Sequence, residues 1–541
     1  MAALTSAELD ALPRSDVETQ QEEVIAQLMA RMKPAGVDII RSVRAYQVLH
    51  RFGYVLRGGR SCYHLSHPTA RIDRFWSHSW HGSQWQKVAT ALFLHNALPA
   101  TLISTAGAAT VAILYGAGLI EGMNYSWRDY DTYEYPRSYW ALVVGCALYI
   151  LTMVLWRPRQ SVFVDRLCID QGNARQKVLG LFSMGAILSC SDSILVLWDE
   201  TYMQRLWCVF ELSGFLHSRQ GARPKMLILP TVLGPCCMLQ SLSLFAVTVA
   251  IGAIPDRNKA FLWTAQAVLL FIGMYVVTAA IRDYFRSIAT LEQDLRDFTI
   301  DNATCFCCQK NHPGGMTCDR DVLLRSIAVW YGTVEAFERR VQTEVRSCLM
   351  QQLSKHFFSY WQCAATLTPI ALAFIDTTSA EWRYLERFHD GVVRELLRGV
   401  AWWLGIAPSV LLLSMRVAHV LRAKRRCDWL QNVLVLVCIV ALFVTAVQLE
   451  RYCFLVLDIL PKKHRNLSYG MALQALVWIP IAALLFRCLG VHPRYMGSPK
   501  PETAGLQETS PGHLTTEECG TAEEDLPEAE PPPARGTIVG L

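Results

Sequence analysis

The sequence predicts an α-helical polytopic membrane bundle carrying an α/β parallel-sheet unit on its cytosolic side. Two observations lead there. Of the 541 residues 52% are apolar and only 18% charged, too greasy a balance for an ordinary soluble chain. Residues 161–212 nevertheless read as strand, helix, strand, helix, with acidic residues closing the strands.

The apolar excess collects in stretches near the length of about 20 residues that a hydrocarbon core requires. Eight are expected as spans: 101–120, 139–156, 232–254, 261–281, 357–375, 399–415, 430–447 and 469–486. No basic segment followed by an apolar run and a small-residue cleavage site opens the sequence, so the N-terminus is expected to stay where it is made. An even number of spans then returns the C-terminus to the same side. Arg416, Arg422, Lys424, Arg425 and Arg426 fall in an inner loop by this count, as the positive-inside rule asks, whereas Lys462, Lys463 and Arg465 fall outside and dissent. No span carries a Lys, Arg, Asp or Glu near its centre, which weighs against an ion or proton pathway. Span one shows Ser104, Ala108, Ala112 and Gly116 at four-residue intervals, a stripe suited to close packing within the chain.

Between the spans lie four soluble pieces. The expected organisation is a cytosolic N-terminal segment (1–90), a membrane hairpin (91–156), the α/β core (157–231), a second hairpin (232–281), a cysteine-containing helical loop (282–356), four further spans (357–490) and an acidic, Pro- and Glu-rich tail expected to be disordered (491–541).

Within the α/β core, 162–164, 194–198 and 225–229 read as strands, the last closed by Pro230. Residues 175–190 read as a helix capped by Asn173, and a helix capped by Thr201 is expected from about Tyr202 to His217. A first strand is missing from this succession, and 74–77 supplies it, followed by a helix from about Ser83 into span one. The membrane hairpin would then interrupt the sheet between its first and second strands. In open parallel sheets ligands bind beyond the carboxyl ends of the strands, where Asp165, Asp170, Asp199 and Glu200 fall. On a helix Glu211 shares a face with Trp207, Cys208 and Phe215, and a carboxylate on an apolar face either pairs or shifts its pKa. A salt bridge to Arg205 or Arg166 is the plain alternative.

Eighteen cysteines without an extracellular clustering fit reduced thiols. Cys305, Cys307, Cys308, His312 and Cys318 have a spacing unlike the usual zinc knuckles, and reduced cysteines are expected there rather than zinc. Of the sequons, Asn124 alone is expected outside and clear of the membrane ends. Neither a Gly-rich phosphate loop nor a recognisable Ser/His/Asp arrangement occurs. The net charge of +5 lies along membrane-proximal loops, pointing to lipid headgroups rather than nucleic acid.

The ordered set FWSHSW, VFVDRLCIDQG, AILSCSDSILVLW, ETYMQRLWCVFEL and LILP resembles the Toll/interleukin-1 receptor (TIR) domain superfamily, in the membrane-bound form seen in protists such as dinoflagellates. The resemblance implies a flavodoxin-like sheet, self-association through the loop Asp165 to Gly172, and NAD as a substrate cleaved at the nicotinamide–ribose bond. It makes Glu211 the catalytic carboxylate, and His78, Asp165, Asp170 and Trp207 are the candidate ligand contacts beside it. Arg205 stands where plant relatives carry a small hydroxyl residue. No resident cofactor is assigned. The functional expectation is a multi-pass signalling protein with such a domain, with a non-catalytic scaffold or a regulated channel or transporter as the alternatives.

Overall fold

The computed structural model describes residues 16–489 apart from 59–61, 123–124, 129–133, 220–223, 254–258, 306–307, 309–318, 355–358, 384–390 and 459–466. The chain begins with α1 (Asp16–Ala30), β1 (Arg41–Arg44), α2 (Ala45–Gly53), β2 (His67–Pro68) and β3 (Arg74–His78), then enters the long helix α3 (Gln84–Gly116). A small hairpin, β4 (Tyr125–Arg128) and β5 (Glu134–Arg137), precedes α4 (Trp140–Leu155), which returns to β6 (Ser161–Phe163). Next come α5 (Asp165–Cys168), α6 (Ala174–Phe182), α7 (Met184–Ser189), β7 (Ile194–Trp198), α8 (Leu206–His217) and β8 (Met226–Pro230). The remainder is helical: α9 (Leu233–Ala253), α10 (Lys259–Arg296), α11 (Asp319–Tyr331), α12 (Val334–Arg340), α13 (Arg346–Ser354), α14 (Tyr360–Thr366), α15 (Thr368–Arg383), α16 (Gly391–Ala401), α17 (Ala407–Val420), α18 (Asp428–Asp458) and α19 (Leu467–Leu489).

Six strands form one mixed sheet in the order β2-β1-β6-β3-β7-β8. The last four are parallel, and the β1–β2 hairpin adds an antiparallel edge beside β6. β3 and β6 are hydrogen-bonded neighbours, with Arg74 opposite Val162 and Phe75 opposite Phe163, although α3 and α4 intervene in sequence. The α3–α4 hairpin therefore serves as the crossover between adjacent parallel strands, and such a crossover has a minimum length but no maximum. β7 sits between β3 and β8 and is buried along its whole length, which explains its unbroken apolar reading, ILVLW. Removing each such side chain from water stabilises the unit by about 1.5–3 kcal/mol.

α8 is buried on both flanks. One side packs on the sheet and the other meets α11, where Trp330 stacks on Phe210 with ring centroids 4.9 Å apart and the Tyr331 hydroxyl donates to Ser213 O at 2.8 Å. α1 in turn packs on α11, where Trp330 Nε1 donates to Ala30 O at 3.0 Å. A segment more than a hundred residues on in sequence thus covers the helix that carries Glu211, and α1 backs that segment.

Several local expectations change. The strands shift by one residue, to 161–163 and 226–230. The helix expected over 175–190 is two helices broken at Ser183, whose Oγ accepts from Ala35 N at 2.8 Å while donating to Leu179 O. Asn173 does cap α6, accepting from Gln176 N at 3.2 Å. Thr201 caps no helix: its N–H and hydroxyl both donate to Asp199 Oδ1, folding 199–204 into a turn. α8 starts instead at Leu206, where Thr304 O accepts from the Leu206 N–H at 3.1 Å and so replaces the missing side-chain cap.

The largest correction concerns the membrane. Among the described residues three helices are long and apolar enough to cross a bilayer: Gln84–Gly116, Gly391–Val420 (α16 and α17 joined through a π turn at Trp402–Ile406) and Asp428–Glu450. A fourth counts if α14 and α15, bent by 56° at Leu367, form one span. Eight are not found among the described residues. α4 has 16 residues, opening at Tyr139 in a left-handed conformation (φ 47°) and stopping at Trp156, whose backbone turns extended; that is shorter than a bilayer needs. The apolar stretches Leu233–Val249 and Gln474–Arg487 are also short, and 261–281 falls within α10, which is not among the qualifying helices. The small-residue stripe on α3 faces inward, with Ser104 and Ala108 fully buried and Gly116 so close to Trp382 that a Cβ would lie 2.7 Å from its ring. Asn124 and residues 490–541 lie outside the described residues.

Candidate functional site

The carboxyl ends of β3, β6 and β7 deliver Ser77 and His78, Asp165, and Asp199 to one edge of the sheet, the edge at which an open parallel sheet leaves a crevice. The connection after β3 turns through Ser79–Ser83 and starts α3, so Lys87 reaches the same edge from the start of a helix long and apolar enough to cross a bilayer. α8, crossing behind, contributes Glu211.

Glu211 Oε2 accepts a hydrogen bond of 2.5 Å from Ser77 Oγ, which also shares one of 2.7 Å with the Tyr202 hydroxyl. Alternation along β3 turns Ser77 toward α8, and the turn after β7 folds Tyr202 over it, fully buried. Glu211 keeps a narrow contact with solvent yet lies deep among protein atoms, and depth decides the cost of its charge. Burial pushes its carboxyl up to about 8; the Ser77 bond opposes that shift and the nearby charge of Asp165 adds to it. No salt bridge to Arg205 or Arg166 holds Glu211: Arg205 turns to His81 Nε2, and the Arg166 guanidinium lies over the Trp80 ring, 4.4 Å from its centroid. Burial also raises the Cys208 thiol and Tyr202 phenol well above their ordinary values, so both stay protonated and neither is a nucleophile at neutral pH.

Lys87 and Asp199 form an ion pair of 2.9 Å, the lysine 2% and the aspartate 11% exposed. Lys87 Nζ also donates to Ser79 O. Asp199 Oδ1 takes two bonds from Thr201, and Ser79 Oγ shares one of 2.7 Å with Thr201 Oγ1, so the turns after β3 and β7 are laced together. The fit is tight enough to demand glycine at residue 82, where a Cβ would lie 2.1 Å from Asp199 Oδ2.

His78 ends β3 beside this pair. It is 8% exposed, and neither ring nitrogen has a hydrogen-bond partner. Burial pulls it below its ordinary value; Asp165 and Asp199 oppose the shift and Lys87 adds to it, so the ring is neutral. It meets the Trp80 ring edge-on at 4.4 Å, and Trp80 Nε1 donates to Asp165 Oδ2 at 3.0 Å. His78, Asp165 and Glu211 therefore share one electrostatic neighbourhood, since the Asp165 charge acts on both of the others.

Two of the expected contacts stand apart. Asp170 lies in the exposed loop after α5, accepting from Gly172 N at 2.9 Å, a local turn. Trp207 Nε1 donates across to Asp319 Oδ2 of α11 at 3.4 Å, and its ring packs edge-on against Phe210. The sequence reading missed Lys87, Ser77 and Tyr202. Lys87 left a signal: it is the only Asp, Glu, Lys or Arg between Arg74 and Glu121, and a lone cation on an apolar helix needs a buried partner. Ser77 and Tyr202 left none.

Three cavities open elsewhere, one against Asp376 and Leu142, one beside Lys424–Cys427, and one along 34–40. Cys305 is buried and Cys308 packs on the core, while Cys307, His312 and Cys318 lie outside the described residues. Among the described residues no group of three His, Cys, Asp or Glu is placed to hold a metal ion. Comparison with family models, with curated proteins and with solved structures returns no match.

Proposed function

We propose that this chain is a multi-pass membrane signalling protein whose TIR-like α/β unit cleaves NAD at the nicotinamide–ribose bond, with Glu211 as the carboxylate that engages the ribose. One observation carries the reading. A glutamate with its carboxyl near 8 is anchored by Ser77 at the carboxyl edge of a parallel sheet, beside an unpartnered neutral histidine and a buried lysine. Strand order β6-β3-β7-β8, which is second-first-third-fourth among the parallel strands, further supports a flavodoxin-like arrangement.

The chemistry follows from the site. Water attacks the ribose carbon as the bond to nicotinamide breaks; the bonding pair leaves with neutral nicotinamide, and one proton is released with ADP-ribose. The sugar passes through an oxocarbenium-like state, which a carboxylate beside the ribose hydroxyls stabilises. A carboxyl near 8 is largely neutral in the empty site. The cationic nicotinamide ring lowers the cost of ionising it on docking, so the charge arises where the transition state needs it.

The test is nicotinamide release from NAD by the purified full chain in lipid nanodiscs. Glu211→Ala is expected to lower turnover by roughly 100-fold or more, with Glu211→Gln similarly impaired. Turnover unchanged in Glu211→Ala removes the catalytic assignment. A second reading, a non-catalytic scaffold associating through 165–172, draws on Ser77 being hydrogen-bonded to the Glu211 carboxylate and on the described cavities lying elsewhere. Under it the wild-type chain releases no nicotinamide, and a charge reversal at the half-buried Asp170 lowers its oligomeric state.

A further inference from the structure

We infer that the loop between α17 and α18 and the first turns of α18 form a binding site for one anionic phospholipid, its headgroup on Lys424, Arg425 and Arg426 and an acyl chain along Leu430, Leu434 and Val437. A groove of about 950 Å³ opens there and is lined by these residues, a size ample for a lipid headgroup and upper chain.

Its walls match an amphiphile. Lys424, Arg425 and Arg426 are consecutive and exposed. Leu430, Leu434 and Val437 follow at helical spacings of four and three, so they lie on one face of α18, and they are 53%, 47% and 57% exposed. That helix is one of the three able to cross a bilayer, so its exposed apolar face is where acyl chains run. Trp429, 62% exposed, stands at the junction of the charged and apolar zones, the depth at which tryptophan settles in membranes.

The loop is also poor in acidic residues. From Arg416 to Asp428 the one acidic residue is Asp428. Its carboxylate pairs with Arg282 at 3.0 Å and Arg286 at 3.2 Å, both from α10. Arg282 further donates to Leu421 O and Ala423 O, fixing the loop's backbone. The loop is thus held from behind by arginines that engage its one acidic residue, and among the described residues no ion pair engages the exposed Lys424, Arg425 or Arg426. Such residues at a membrane boundary attract anionic headgroups. Tyr284, two residues along α10 from Arg282, touches Trp198 at the carboxyl end of β7, which puts this boundary on the same side as the α/β unit.

Native mass spectrometry of the detergent-purified full chain, titrated with phosphatidylglycerol or phosphatidylcholine, tests the site. Phosphatidylglycerol is expected to be retained preferentially. Lys424→Gln/Arg425→Gln/Arg426→Gln should weaken its binding roughly 100-fold, while Lys424→Arg/Arg425→Lys/Arg426→Lys keeps it. Leu434→Ser/Val437→Ser should weaken it roughly tenfold, which a site for the phosphate alone would not show. Equal retention of the two lipids, undiminished binding in the glutamine variant, or displacement by inorganic phosphate each overturns the proposal.

Discussion

The sheet edge and the middle of α10 each bury a cation beside an aspartate, and they treat it differently. Arg282 is fully buried and spends its guanidinium on the Leu421, Ala423 and Asp428 carbonyls, the Asn432 amide oxygen and the Asp428 carboxylate. Its fork geometry suits that many acceptors at once. Lys87 has Asp199 and one carbonyl, but its neighbours are left wanting: His78 has two unpartnered nitrogens and Glu211 is pushed up to about 8. A fully satisfied polar cluster fixes a structure. A partly satisfied one carries a cost that a ligand can relieve. The first arrangement is therefore a clamp, and the second has the character of a site.

The clamp gives the largest expected effect. Arg282→Met fills similar volume but leaves the Asn432 amide oxygen and three carbonyls without their donor and the Asp428 carboxylate with Arg286 alone. Removing one partner of a buried pair typically costs about 3–5 kcal/mol. Thermal unfolding of the full chain in detergent should show the loss, whereas Lys87→Met, with fewer groups left behind, should cost less. An equal loss at the two positions would erase the contrast.

The same contrast governs what could be read from sequence. β3, β6, β7 and β8 are legible because buried parallel strands are short apolar runs stopped by polar or proline residues, and each lies within a residue or two of its expected place. Glu211 is legible as a carboxylate on an apolar helical face. The β1–β2 edge was not: RSVR and HP carry charge and proline as edge strands do, and they look like loop. Nor was the span count, because hydropathy measures apolar runs rather than helices. The left-handed Tyr139, the bend at Leu367 and the turn at Ser183 are set by packing and leave no compositional trace. Ser77 and Tyr202 are ordinary residues in sequence, and only the register of β3 against β7 makes them partners of Glu211.

Glu211 sharpens the comparison through pH. Its carboxyl lies at about 8 in the folded chain against an ordinary 4.5. Between those values the unfolded chain releases the proton and the folded chain keeps it, so stability falls as pH rises, by up to about 1.4 kcal/mol per pH unit, and levels off above 8. Glu211→Gln cannot ionise and should flatten that part of the stability–pH profile while leaving acid stability near the wild type. An unaltered slope between pH 5 and 8, on the order of the wild type's, would mean that Glu211 is not the strained group.

His78 offers the smallest effect and the most pointed one. It is neutral in the folded chain because burial and Lys87 outweigh Asp165 and Asp199, so acid adds a second loss of stability as the unfolded chain protonates below the ordinary histidine value of 6.5. Replacing it with leucine removes two buried unpartnered nitrogens, each of which costs about 1–3 kcal/mol when left unsatisfied. His78→Leu should therefore raise the thermal midpoint at neutral pH and weaken the acid limb of the profile. If the ring is kept for a ligand, the same variant should lose the stabilisation that added NAD confers on the wild type. Only the paired measurement, more stable alone and less stabilised by NAD, separates a ring that costs stability because it meets a ligand from imperfect packing.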